Sequence, residues 1–103
     1  MNAPVTSPAP GMNKEWVARR AKAVSRGIGM GAPVMAEKAE NSEIWDIEGN
    51  RYIDFGGGIA VVNTGHRHPL VMKRVYEQLE KVTHTCAMVM PYTPFIEVCE
   101  KLN

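Results

Sequence analysis

With 103 residues, 45% of them apolar and 22% charged, the chain has the composition of one small ordered domain that would bury roughly 60 to 70% of its unfolded surface. A formal net charge of +1, with 12 basic residues spread along the sequence, argues against a nucleic-acid surface, and no apolar run approaches the roughly 20 residues that span a bilayer. Two cysteines, Cys86 and Cys99, without an export signal point to free thiols in a reducing cytoplasm.

Residues 1–12 hold three prolines among Ser, Thr, Gly and Ala, too little apolar surface to offset the entropy of ordering, and read as a flexible tail. Asn13 offers an N-cap side chain, Glu15 sits in the first turn, and the Ala-rich stretch 14–25 predicts a helix that ends at Arg26-Gly27. A linker over 28–33 leads to a short extended segment over 34–40, punctuated by Asn41-Ser42. The aromatic and β-branched residues of 43–47 and 51–55, separated by Glu48-Gly49-Asn50, predict a hairpin over 43–55.

Gly56-Gly57-Gly58 then opens a loop over 56–68. Three successive glycines lose much backbone entropy on ordering, so they belong where the chain bends sharply or another surface approaches closely. Pro69 can take the first helical position, and Val71, Val75, Leu79 and Val82 recur at helical spacing, which predicts a helix over 69–82 with Glu77 and Lys81 paired on its outer face. Thr93-Pro94 predicts the start of a last helix over 93–102, whose apolar residues Phe95, Ile96, Val98, Cys99 and Leu102 still run at Asn103.

Several familiar chemistries fail on spacing. His66, His68, His84 and Cys86 could in principle ligate zinc, but a helical rod of about 20 Å would hold the two pairs apart, so no metal is expected. The glycines lead into Ile59-Ala60-Val61-Val62 and not into the lysine and hydroxyl residue of a phosphate loop; a turn or a closely approached backbone is the better reading. No spacing picks out a nucleophilic triad, and Asp46, Glu48 and Asp54 around the hairpin read as solvated edges or turn caps.

One ordered set of residues is more specific. Asn41, Ile44-Trp45-Asp46, Glu48-Gly49, Tyr52-Ile53-Asp54-Phe55, Gly57-Gly58-Ile59-Ala60-Val61, Asn63-Thr64-Gly65-His66, His68-Pro69 and His84-Thr85-Cys86, with Arg26-Gly27-x-Gly29 before them and Tyr92-x-Pro94 after, resemble the N-terminal part of the class III pyridoxal-phosphate aminotransferases. The resemblance covers about residues 14–103. It implies an α+β fold, the small-domain segment of a fold type I transferase: a helix, a short antiparallel hairpin or sheet, then two helices.

It also implies a function: transfer of an amino group from an ω-amino acid such as 4-aminobutyrate to a 2-oxo acid such as 2-oxoglutarate, with pyridoxal phosphate as cofactor and a homo-oligomer as the working form. The family's substrate-contacting residue in the Gly-Gly-Ile-Ala-Val run matches Ile59, where an apolar wall suits a substrate's carbon chain. After His-Thr-Cys the 4-aminobutyrate enzymes tend to carry an aromatic residue and then Gln, whereas this chain has Ala87 and Met88. Met88 is therefore a pocket neighbour to watch, and ornithine, acetylornithine and 5-aminovalerate stay open as donors. Family members are several times longer, and their imine lysine, pyridinium aspartate, phosphate-binding Gly-Ser/Thr pair and carboxylate-gripping arginine match nothing here. The resemblance thus implies a segment without cofactor-binding or catalytic residues, inactive alone; a structural or oligomerising role without catalysis is the alternative.

Overall fold

A computed structural model describes residues 9–103; most of the expected tail lies outside the described residues. The described residues fall into two compact units, 9–68 and 69–103. In the first, α1 (Met12–Ala23) precedes three strands, β1 (Ala36–Glu40), β2 (Glu43–Asp46) and β3 (Arg51–Ile53), which pair antiparallel in the order β1-β2-β3. The kinked turn α2 (Gly57–Ala60) follows. The second unit holds α3 (Pro69–Leu79) and α4 (Thr93–Leu102).

The α+β class is that of the sequence analysis, and the extended segment before Asn41 adds a third strand to the hairpin. Asn41 and Ser42 join β1 to β2 in a two-residue turn, with Asn41 in the left-handed region at φ 50°, which Asn tolerates better than most side chains. A register irregularity between Ala36 and Lys38 leaves Lys38 beside Trp45, its ammonium 4.4 Å from the ring centroid. Gly49 at φ 82° turns β2 into β3, and Arg51 pairs across the strands with Glu43.

Helix α1 departs from expectation at its start. Asn13 is not the N-cap but lies inside the helix, largely buried, and Gly11 occupies the cap position without a side-chain bond. The cap comes from the hairpin instead: Glu48 Oε1 accepts the Asn13 backbone N–H at 2.8 Å. A carboxylate at this end satisfies an otherwise free amide and meets the positive pole of the helix dipole. After the helix, the Arg20 guanidinium donates to the carbonyls of Ile28 and Gly29 at 2.7 and 2.8 Å, which folds the glycine-containing linker back on α1.

What lies at the centre of the first unit is polar. Asp46 is 2% exposed and accepts five hydrogen bonds, from the Glu48 and Asn50 backbone amides, the Asn13 and Asn50 side-chain amides and the Tyr52 hydroxyl, at 2.9 to 3.0 Å. Asn13 Oδ1 in turn accepts from the Met35 amide at 2.7 Å. Asp46 thus caps its turn as expected but is no solvated edge: it ties α1, the β2-β3 loop and β3 together. Among the described residues no apolar side chain is buried, which departs from the modest apolar core that composition allows.

In the second unit α3 ends three residues before the expected 82, and Gln78 Nε2 donates to the Val82 carbonyl at 2.9 Å beyond its end. Glu77 pairs backward, with Arg74 at 3.2 Å and Lys73 at 3.9 Å, and not with Lys81. Tyr92 caps α4, which puts Pro94 in its first turn, where the missing N–H breaks no bond.

Candidate functional site

The loop after β3 is built by one carboxylate and several left-handed residues. Asp54 Oδ1 accepts the Gly56 and Gly57 amides at 3.0 and 2.9 Å, which starts the bend. Gly57 and Gly58 stand at φ 52° and 70°, a backbone that favours glycine, and Ala60 shares it at φ 55°. The turn closes through the Ala60 and Val61 amides, which donate to the Gly56 and Gly57 carbonyls at 2.9 and 3.0 Å. The glycines therefore serve a sharp turn. Ile59, the candidate substrate-contacting residue, stands at its crown and is 92% exposed, and Phe55 at its base is 96% exposed.

The neck of the loop is polar and closed. His66 Nε2 lies 2.6 Å from Asp54 Oδ2, with the side chains 21% and 10% exposed. The same residues are fixed to the first hairpin by backbone bonds: His66 exchanges both with Asn41, at 2.7 and 2.9 Å, and the Asp54 amide donates to the Ser42 carbonyl at 2.8 Å. Gly65, at φ 77°, passes so near that a Cβ would stand 3.1 Å from the Asn41 backbone. The bond from His66, then those from the Gly57 and Gly56 amides, hold the Asp54 carboxyl below the usual carboxylate range against partial desolvation. In Asp46 burial pushes the other way, but the Asn50, Tyr52 and Asn13 bonds outweigh it and leave the carboxyl far below that range. Its hydrogen bond raises the Tyr52 phenol.

Besides its backbone bonds to Asn41, His66 pairs with an aspartate twelve residues upstream, a separation that carries no short-range sequence signal. His68 keeps a buried Nδ1 without a partner. Met88, in the second unit, is 94% exposed at the tip of a turn in which the Val89 and Met90 amides donate to the Cys86 carbonyl and Thr85 Oγ1 donates to the Met90 carbonyl. Cys86 holds that turn at φ 56°. Both cysteines are free, and no three His, Cys, Asp or Glu side chains gather as metal ligands among the described residues. Nor does any described helix have the length and apolarity to cross a membrane.

The six lysines, Lys14, Lys22, Lys38, Lys73, Lys81 and Lys101, are all exposed. An imine-forming lysine works desolvated in a pocket, so the residues present do not fit pyridoxal phosphate.

Comparison with known proteins places this loop in a family. The family "Aminotransferase class-III" matches residues 24–103. The 4-aminobutyrate aminotransferase GabT of Escherichia coli is 52% identical over 91 residues, 88% of this chain and 21% of that protein. The 5-aminovalerate aminotransferase DavT of Pseudomonas aeruginosa is 56% identical over 90 residues, 87% of this chain and 21% of that protein. The chain thus spans about a fifth of the length of these relatives. Among solved structures, a Bacillus anthracis aminotransferase superposes with a TM-score of 0.73 at 28% identity over 92% of this chain and 22% of its own. The Toxoplasma gondii ornithine aminotransferase, described with partial occupancy of PLP at its active site, gives 0.65 at 32% over 71% of this chain and 17% of its own. The chain belongs to the class III aminotransferases.

Proposed function

We propose that this segment works within a pyridoxal-phosphate enzyme that transfers the terminal amino group of an ω-amino acid, 4-aminobutyrate or 5-aminovalerate, to a 2-oxo acid such as 2-oxoglutarate. The observation that carries the reading is the 52 and 56% identity to enzymes named for those two donors, joined to a loop that turns Ile59 outward. Within that enzyme Ile59 is an apolar wall for the carbon chain between amine and carboxylate. Burying each methylene against such a wall is worth about 0.8 kcal/mol, enough to rank donors that differ by one carbon.

In that enzyme the cofactor would supply an electron sink for the carbon that bears the amino group, and the residues that would hold it lie in the part of the family's fold that this chain does not span. This segment contributes the wall, acts within a homo-oligomer together with the rest of the family's fold, and is inactive alone. With free thiols the working compartment is the reducing cytoplasm.

The test is an enzyme completed by joining this segment to the remainder of the E. coli relative, assayed with 4-aminobutyrate, 5-aminovalerate, ornithine and acetylornithine. The first two are expected as the best donors. Activity confined to ornithine or acetylornithine, or none with any donor, contradicts the reading.

A further inference from the structure

The residues that shape the Ile59 loop are not those that face outward from it. Ala60 sits in the left-handed region without being glycine, and such a residue persists only where its surroundings over-determine the backbone. One carboxylate supplies that determination from both sides: Asp54 Oδ1 holds the Gly56 and Gly57 amides at the start of the bend, and Oδ2 holds His66 at its far end. Ionised, the carboxylate can only accept, so His66 donates from Nε2. Both residues are anchored in turn on the Asn41-Ser42 turn, which transmits the stiffness of the sheet to the neck.

We infer that Asp54 and His66 are positioning residues: their hydrogen bond clasps the neck of the 54–66 loop and fixes the bend that carries Ile59, and so sets how closely that side chain meets the carbon chain of an ω-amino donor. The inference rests on the reading of Ile59 as a substrate wall. It differs from a general stabilising role in what it moves. Loosening the clasp leaves the wall's chemistry intact and its place undefined, so it weakens donor binding more than turnover.

Two measurements test this. In the 103-residue chain, amide exchange followed by NMR is expected to show the Gly57 amide slowed about tenfold relative to Asp54→Asn, with the His66 proton on Nε2. Equal exchange in the two proteins, or a neutral His66 protonated on Nδ1, overturns the clasp. In the completed enzyme, His66→Phe is expected to raise the KM for 4-aminobutyrate about tenfold, as Ile59→Ala does, with kcat within about twofold. His66→Gln, whose amide nitrogen can donate to the same oxygen, is expected to restore most of the loss. If Ile59→Ala moves KM and His66→Phe does not, the clasp is overturned while the substrate reading stands; if neither moves KM, the substrate reading itself falls. Should His66→Phe fail to fold, His66→Gln decides: a KM near wild type supports the clasp, and one raised as far as Ile59→Ala overturns it.

Discussion

Asp46 shows how much one side chain can organise when no apolar centre is available. Its two oxygens accept from α1, the β2-β3 loop and β3, so removing any donor leaves a buried acceptor short of partners. Asn13→Ala deletes both the bond to Asp46 and the bond from Met35, and is expected to destabilise the first unit by about 1–3 kcal/mol in urea unfolding followed by Trp16 and Trp45 fluorescence. An unchanged midpoint contradicts the role given to this node. The carboxyls also set an acid limit. Asp46 and Asp54 lie below the ordinary value of 3.8, so the folded state favours their charged forms. Their contribution is full above the unfolded value and is lost as pH falls through it toward the folded values. Unfolding midpoints measured downward from pH 6 are therefore expected to hold until about pH 5 and then to drop, more steeply than in Asp46→Asn. A midpoint that rises on acidification contradicts the sign.

At the scale of elements, the two-residue turn, the glycine turn and the loop neck form one construction, because Asn41 and Ser42 pair with residues on both sides of the Ile59 loop. Gly65→Ala puts a Cβ against Asn41 backbone that cannot swing away, in a conformation that disfavours any side chain. It is expected to lower the stability of the first unit by about 2 kcal/mol and to speed exchange of the Asn41 amide. Exchange unchanged from wild type contradicts the coupling. Much of this level was legible in the sequence. Aromatic and β-branched residues around a glycine-containing turn mark the strands of the hairpin, helical spacing marks α3, and Thr93-Pro94 before an apolar run marks α4, because these patterns depend on neighbours a few residues apart. What was not legible depends on distant partners. Asn13 looks like an N-cap until Asp46 and Met35 claim its side chain; Glu48 looks like a turn residue until it caps α1; Asp54 and His66 find each other only once the loop has closed. Ile59 came from resemblance to a family, since its own neighbours read only as an apolar run after glycines.

For the molecule as a whole, the apolar residues that a core would claim are on the surface. Ile59, Phe55, Leu70, Leu79, Met88 and Leu102 are all exposed, and about four fifths of the E. coli relative's length lies outside the part that this chain matches. Surfaces of this kind associate. The isolated chain is expected to self-associate in light scattering and to bind an apolar dye; a monodisperse, dye-silent monomer contradicts this. Pyridoxal phosphate added to it is expected to leave no stoichiometric borohydride-trapped lysine, because every lysine is solvated. A single trapped lysine contradicts the division of labour proposed between this segment and the rest of the enzyme. That division assigns Ile59 to the substrate, and the most direct measurement is the KM of the completed enzyme for 4-aminobutyrate and 5-aminovalerate with Ile59 and with Ile59→Ala. A rise of about tenfold for both donors, with kcat nearly unchanged, is the predicted result. Equal KM values for the two proteins would contradict the claim that this loop forms the substrate wall.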